Sequence, residues 1–122
     1  MKHIQTQKIT VSNDADLILL RQILRQSTRT MGFSPAKQAR ITAAISEVLR
    51  ACIAHFCTND VSIHCEDNNH THALVIECDT DGETYHRVAN QPSVQTAYQL
   101  IDDVKVKSSP FGYHIEFRIG VA

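Results

Sequence analysis

The sequence predicts an α+β domain, a two-layer α/β sandwich whose mixed, mostly antiparallel sheet carries its helices on one face. Three observations predict it. Two long apolar stripes of helical period fill the first half of the chain. Beyond residue 60 the apolar period falls to two. The later strands are mostly separated by short turns, which favours hairpins over crossovers. With 122 residues, 43% hydrophobic and 20% charged, residues 1–122 read as one globular domain. A chain of that size buries a core without disulfide or metal staples.

The elements follow in order. Ile4-Gln5-Thr6-Gln7-Lys8-Ile9-Thr10-Val11 is rich in β-branched residues and reads as a strand. Ser12-Asn13-Asp14 supplies side chains that cap the orphan amides of a helix start. Leu17, Leu20, Ile23, Leu24 and Met31 then recur at helical spacing until Gly32, which tolerates the left-handed backbone of a helix end. Ser34-Pro35 restarts helix at once, with serine as cap and proline where no amide donor is needed. Ile41, Ala44, Ile45, Val48, Cys52 and Phe56 extend this second stripe, so the helix is expected from Pro35 to Phe56. Thr58-Asn59-Asp60 breaks it.

Val61, Ile63 and Cys65 alternate with polar neighbours, Asp67-Asn68-Asn69 turns, and Thr71–Cys78 returns as the second strand of a hairpin. Asp79-Thr80-Asp81-Gly82 closes it. Ser93–Asp103 reads as a short helix after Pro92, with Val94, Ala97, Leu100 and Ile101 apolar. Val104–Lys107 and Tyr113–Ile119 are two more alternating strands around Ser109-Pro110-Phe111-Gly112.

Composition narrows the function classes. Twelve Lys and Arg against thirteen Asp and Glu leave a net charge of −1, without the basic excess of a nucleic-acid binder. The longest apolar runs, Leu17–Leu20 and Ala73–Ile76, are too short to span a bilayer. Residues Met1 to Gln5 offer no apolar signal region, so a soluble, cytoplasmic protein is expected. Cys52, Cys57, Cys65 and Cys78 show no CxxC spacing and read as core filling. A metal reading rests on His70-Thr71-His72 with Cys65, Cys78 or His64 near across the hairpin, since imidazole and thiolate are zinc ligands.

Several matched positions are not required by helical periodicity. Leu20-Arg21-Gln22-Ile23-Leu24-Arg25, Met31-Gly32-Phe33-Ser34 and Gln38-Ala39-Arg40-Ile41-Thr42-Ala43-Ala44-Ile45-Ser46-Glu47 together resemble the anti-sigma-factor serine-kinase branch of the GHKL (histidine-kinase-like) ATPases. The likeness covers residues 16–56 and includes polar and glycine positions. It implies the Bergerat fold of that family, a Mg-ATP pocket between helical layer and lid, and phosphorylation of a serine or threonine on a STAS-type partner. Other members of the family act by switching binding partners.

Carried over residue by residue, the resemblance implies a damaged site. The stripe Glu47, Ala51, His55 falls on one helical face by the i, i+4 rule. Glu47 matches the family's catalytic acid and His55 its trailing histidine. Ala51 stands where the family has a magnesium-binding asparagine, and a methyl cannot coordinate a cation that wants oxygen. The family's Asp-x-Gly-x-Gly box matches Asp79-Thr80-Asp81-Gly82-Glu83 in either of two registers, with Asp79 or Asp81 reading adenine. Asp79 is preferred because it directly follows the expected strand; a plain polar turn is the other reading. Glu83–Gln91 contains no glycine to bring backbone amides to phosphate and is too short for the family's lid.

The expected function is therefore a regulatory protein-binding module with nucleotide binding impaired or lost, working through a STAS-like or sigma-factor-pathway partner. The alternative is an active ATP-dependent serine/threonine kinase with Glu47 as base and Mg-ATP as cofactor. Asp79, Asp81, Gly82 and His55 are the candidate remnants of the nucleotide pocket. Arg21, Arg25, Arg29, Lys37 and Arg40 form the candidate partner surface. A homodimer is left open, and neither nucleic acid nor membrane is an expected partner.

Overall fold

Local sequence signals set the helix boundaries. In the computed structural model, which describes residues 4–67, 72–81, 85–110 and 112–121, α1 spans Asp14–Met31 and α2 spans Pro35–Ala54. The Asn13 side chain accepts a hydrogen bond from the Asp16 amide at 2.9 Å, and Ser34 accepts one from Lys37 at 3.2 Å. Gly32 takes a left-handed φ of 87°, and its amide and that of Phe33 close back onto Arg29 and Thr28. A three-residue link, Gly32-Phe33-Ser34, thus folds α1 and α2 into a helical hairpin.

The strands are β1 (Gln7–Val11), β2 (Asn59–Asp67), β3 (His72–Asp81), β4 (Asp103–Ser109) and β5 (Gly112–Gly120). They form one sheet in the order β1-β2-β3-β5-β4, and every neighbouring pair is antiparallel. The mixed sheet expected from the sequence is thus antiparallel throughout. Two helices between β1 and β2 bring the chain back to the end it left, so β2 descends beside β1. β5 inserts between β3 and β4, which keeps those two co-directional strands apart.

The register divides the sheet into two faces. Val11, Val61, Ile63, Leu74, Ile76, Cys78, Ile115, Phe117 and Ile119 point to one side and meet Leu20, Leu24, Ile45, Leu49 and Cys52 of the helices. All of these are at most 2% exposed. The opposite face carries Asp60, His64, Glu77, Asp79, His114, Glu116 and Arg118. This is the expected two-layer arrangement.

Boundaries differ from the periodic reading in four places. Strand β1 starts at Gln7, three residues late. Helix α2 stops at Ala54, and Phe56, expected on the buried stripe, has φ 61° and is 96% exposed. The next residue, Cys57, takes the buried place, its amide bonding back to Cys52. A short helix, α3 (Tyr85–Ala89), buries Tyr85 and Val88; five residues are too few for a period to register. Helix α4 covers only Pro92–Gln99, because Ile101 is buried from the turn after it while Leu100 stays exposed.

Candidate functional site

Two antiparallel helices with long side chains on their outer shoulders leave a groove between them. Arg21, Arg25 and Arg29 recur every four residues, so they stack along one side of α1. Thr42, Ser46 and Arg50 repeat the spacing on the facing side of α2. Together these six line a groove of about 490 Å³, to which the exposed small residues Ala39 and Ala43 also contribute. Four arginines against Glu47 leave the groove three positive charges on a chain whose net charge is −1.

Its hydrogen bonding is incomplete. Arg21 Nε donates to Ser46 Oγ at 3.1 Å, and Arg50 pairs with Glu47 at 3.1 Å. Among the described residues, Arg25 and Arg29 have no carboxylate partner. Thr42 is 6% exposed, and its buried Oγ1 has no hydrogen-bond partner. Like charges four apart on a helix destabilise it by about 0.2–0.5 kcal/mol per pair.

The other sequence candidates are dispersed. Glu47 stands on the outer ridge of α2, half-exposed beside Arg50. Ala51, on the flank away from α1, is 7% exposed in a core cluster that includes Tyr85, Val88, Val94 and Ala97. His55 caps the end of α2 with Nδ1 buried and unpartnered. Asp79 lies within β3, which continues to Asp81, and its carboxylate faces the side of the sheet away from the helices. There it meets His114 Nδ1 at 2.7 Å, while Glu77 meets His114 Nε2 at 3.3 Å. The hydrogen bond to Asp79 is the main cause that raises the His114 pKa above its ordinary value, against a smaller opposing effect of burial. Asp81 accepts from the Thr58 amide, tying β3 to the link before β2. Gly82 lies outside the described residues.

The basic grouping also divides. Lys37 Nζ donates to the Gly120 carbonyl at 2.9 Å and sits 3.7 Å from Asp102, so it belongs to the junction of α2 with β5. Arg40 is exposed and does not line the groove. Sequence reasoning missed Thr42, Ser46 and Arg50. Their four-residue spacing was readable, but its pairing with the arginine row needs the direction of α2 relative to α1.

The proposed metal ligands separate in the same way. His70 and Thr71 are outside the described residues. His72 lies 3.7 Å from Cys65 Sγ on the core side, whereas His64 points to the opposite face. Cys78 is six residues farther along β3, roughly 20 Å by strand rise, and its buried thiol is pushed well above the ordinary range by desolvation. Burial pushes the Cys52 thiol up to about 12. Among the described residues no three His, Cys, Asp or Glu side chains gather as a metal site. No helix of the described residues is long and apolar enough to cross a membrane.

Compared with known proteins, the chain matches no family model and no curated protein sequence.

Proposed function

We propose that this protein is a regulatory binding module, similar to anti-sigma-factor serine kinases but impaired in nucleotide binding, that docks a protein partner through the groove between α1 and α2. One observation carries the reading: Arg21, Arg25 and Arg29 line a single groove with one carboxylate, Glu47, that is already paired. Such a surface speeds encounter with an acidic protein and selects against basic ones. A STAS-like or sigma-factor-pathway regulator is the partner class the resemblance suggests, acting in the cytoplasm.

The residues at the matched positions do not suit magnesium nucleotide. Ala51 offers no oxygen and is packed in the core, and Asp79 is engaged with His114 on the far side of the sheet. These placements count against the alternative, an active serine/threonine kinase with Glu47 as base. The test is capture of the partner from native cells by wild type and by Arg25→Glu with Arg29→Glu, with folding checked by circular dichroism. Arg40→Glu, outside the groove, is the control. The reading expects loss of the same partner only in the double reversal; a folded double reversal that captures it equally well refutes the docking site.

A further inference from the structure

We infer that the groove between α1 and α2 receives a phosphorylated serine or threonine side chain carried on an extended protein segment. This rests on the docking reading above and names the chemistry that the groove recognises. The Arg21–Ser46 hydrogen bond fixes the level of the two antiparallel helices. Steps of four in opposite directions then set Arg25 beside Thr42 and Arg29 beside Gln38, all of which line the groove. At the middle level, a guanidinium without a carboxylate partner stands beside a buried hydroxyl whose Oγ1 has no hydrogen-bond partner. The hydroxyl donates one hydrogen bond, and each guanidinium presents a planar fork of donors.

Charge and shape select the ligand. A phosphomonoester carries about −1.5 to −2 at neutral pH and three acceptor oxygens, whereas one carboxylate brings a single charge and two. Three uncompensated positive charges and donors at two successive levels match the phosphoryl group better. The source follows from length. Pro35 to Arg50 line the groove along α2, a span of about 22 Å at helical rise. A free phosphate fills a fraction of that. An extended peptide covers it, and Ala39 and Ala43 leave room for its backbone.

The experiment titrates ¹⁵N-labelled protein with the blocked peptide Gly-Gly-pSer-Gly-Gly, its unphosphorylated form, inorganic phosphate and ATP, following arginine Nε–H and backbone resonances. Saturable shifts at Arg21, Arg25 and Arg29 with the phosphopeptide alone, or with it most tightly, are expected. Arg25→Gln with Arg29→Gln, checked for folding, should weaken that binding at least about tenfold, since charged hydrogen bonds are lost. No saturable shift at millimolar phosphopeptide overturns the assignment, as does unchanged affinity in the double variant. Tighter binding of free phosphate or ATP overturns the protein source. If the phosphopeptide fails while the native partner is still lost on double charge reversal, the phosphoryl assignment falls and docking stands. If the partner is also retained, both fall.

Discussion

Asn59 is fully buried, and its side-chain amide donates to the carbonyls of Val11 and Cys57 while its oxygen accepts from Thr80. One side chain thereby joins β1, β2 and β3 at the end of the sheet. In the sequence Asn59 reads as part of a helix-breaking cluster; its role as a junction depends on which strands become neighbours, which no local signal encodes. Asn59→Ala takes a hydrogen-bond partner from two carbonyls, of Val11 and Cys57, and from the Thr80 hydroxyl, and should destabilise the protein by about 2–4 kcal/mol. Urea denaturation measures this, and a loss below about 0.5 kcal/mol would contradict the junction.

His114 adds a pH dependence. Its folded pKa is raised, first by the hydrogen bond to Asp79 and then by the charges of Asp79 and Glu77. The stabilisation is full below the ordinary value of 6.5 and is lost as pH rises through the higher folded value. Thermal midpoints of wild type should therefore fall relative to those of His114→Gln as pH rises from below 6.5 through the raised folded value. Parallel curves for the two proteins would remove His114 from the account. Asp79 and His114 lie 35 residues apart, and only the strand register brings them together.

Helix α2 presents different chemistry on its two flanks. Thr42, Ser46 and Arg50 face the groove, whereas Ala51 joins the core on the other flank and Glu47 stands on the ridge between. The sequence shows the helix, its serine cap and its buried stripe clearly, because each is a local or periodic signal. The helix ends at Ala54, two residues before the periodic signal does. Phe56 continued the apolar period, yet a left-handed turn exposes it and buries Cys57 instead. Ala51→Asn puts an amide into a packed site that has room for a methyl. It should destabilise by about 1–3 kcal/mol and create no Mg-ATP binding. Thermal melts and calorimetry check both, and a micromolar dissociation constant for Mg-ATP in either protein would favour the kinase reading.

At the scale of the whole molecule, the groove concentrates positive charge that the composition averages away. A net charge of −1 conceals a groove with three positive charges on the helical layer, while the opposite face of the sheet mixes Asp60, Glu77, Asp79 and Glu116 with Lys8, Lys105, Lys107 and Arg118. The two-layer class was legible in the sequence because period and turn spacing are intrinsic to each segment. The assembly of the groove was half legible: one arginine row could be read, but not the hydroxyls opposite it or the removal of Lys37 to the β5 junction. The proposed role of this groove is to hold a partner by charge. The direct measurement is the affinity of the captured partner for wild type, Arg40→Glu, and Arg25→Glu with Arg29→Glu, at low and raised ionic strength. Wild type and Arg40→Glu should bind tightly at low salt and lose affinity as screening lengths shorten toward 10 Å and below, while the double reversal binds weakly throughout. Equal affinity and equal salt dependence in all three folded proteins would contradict the account.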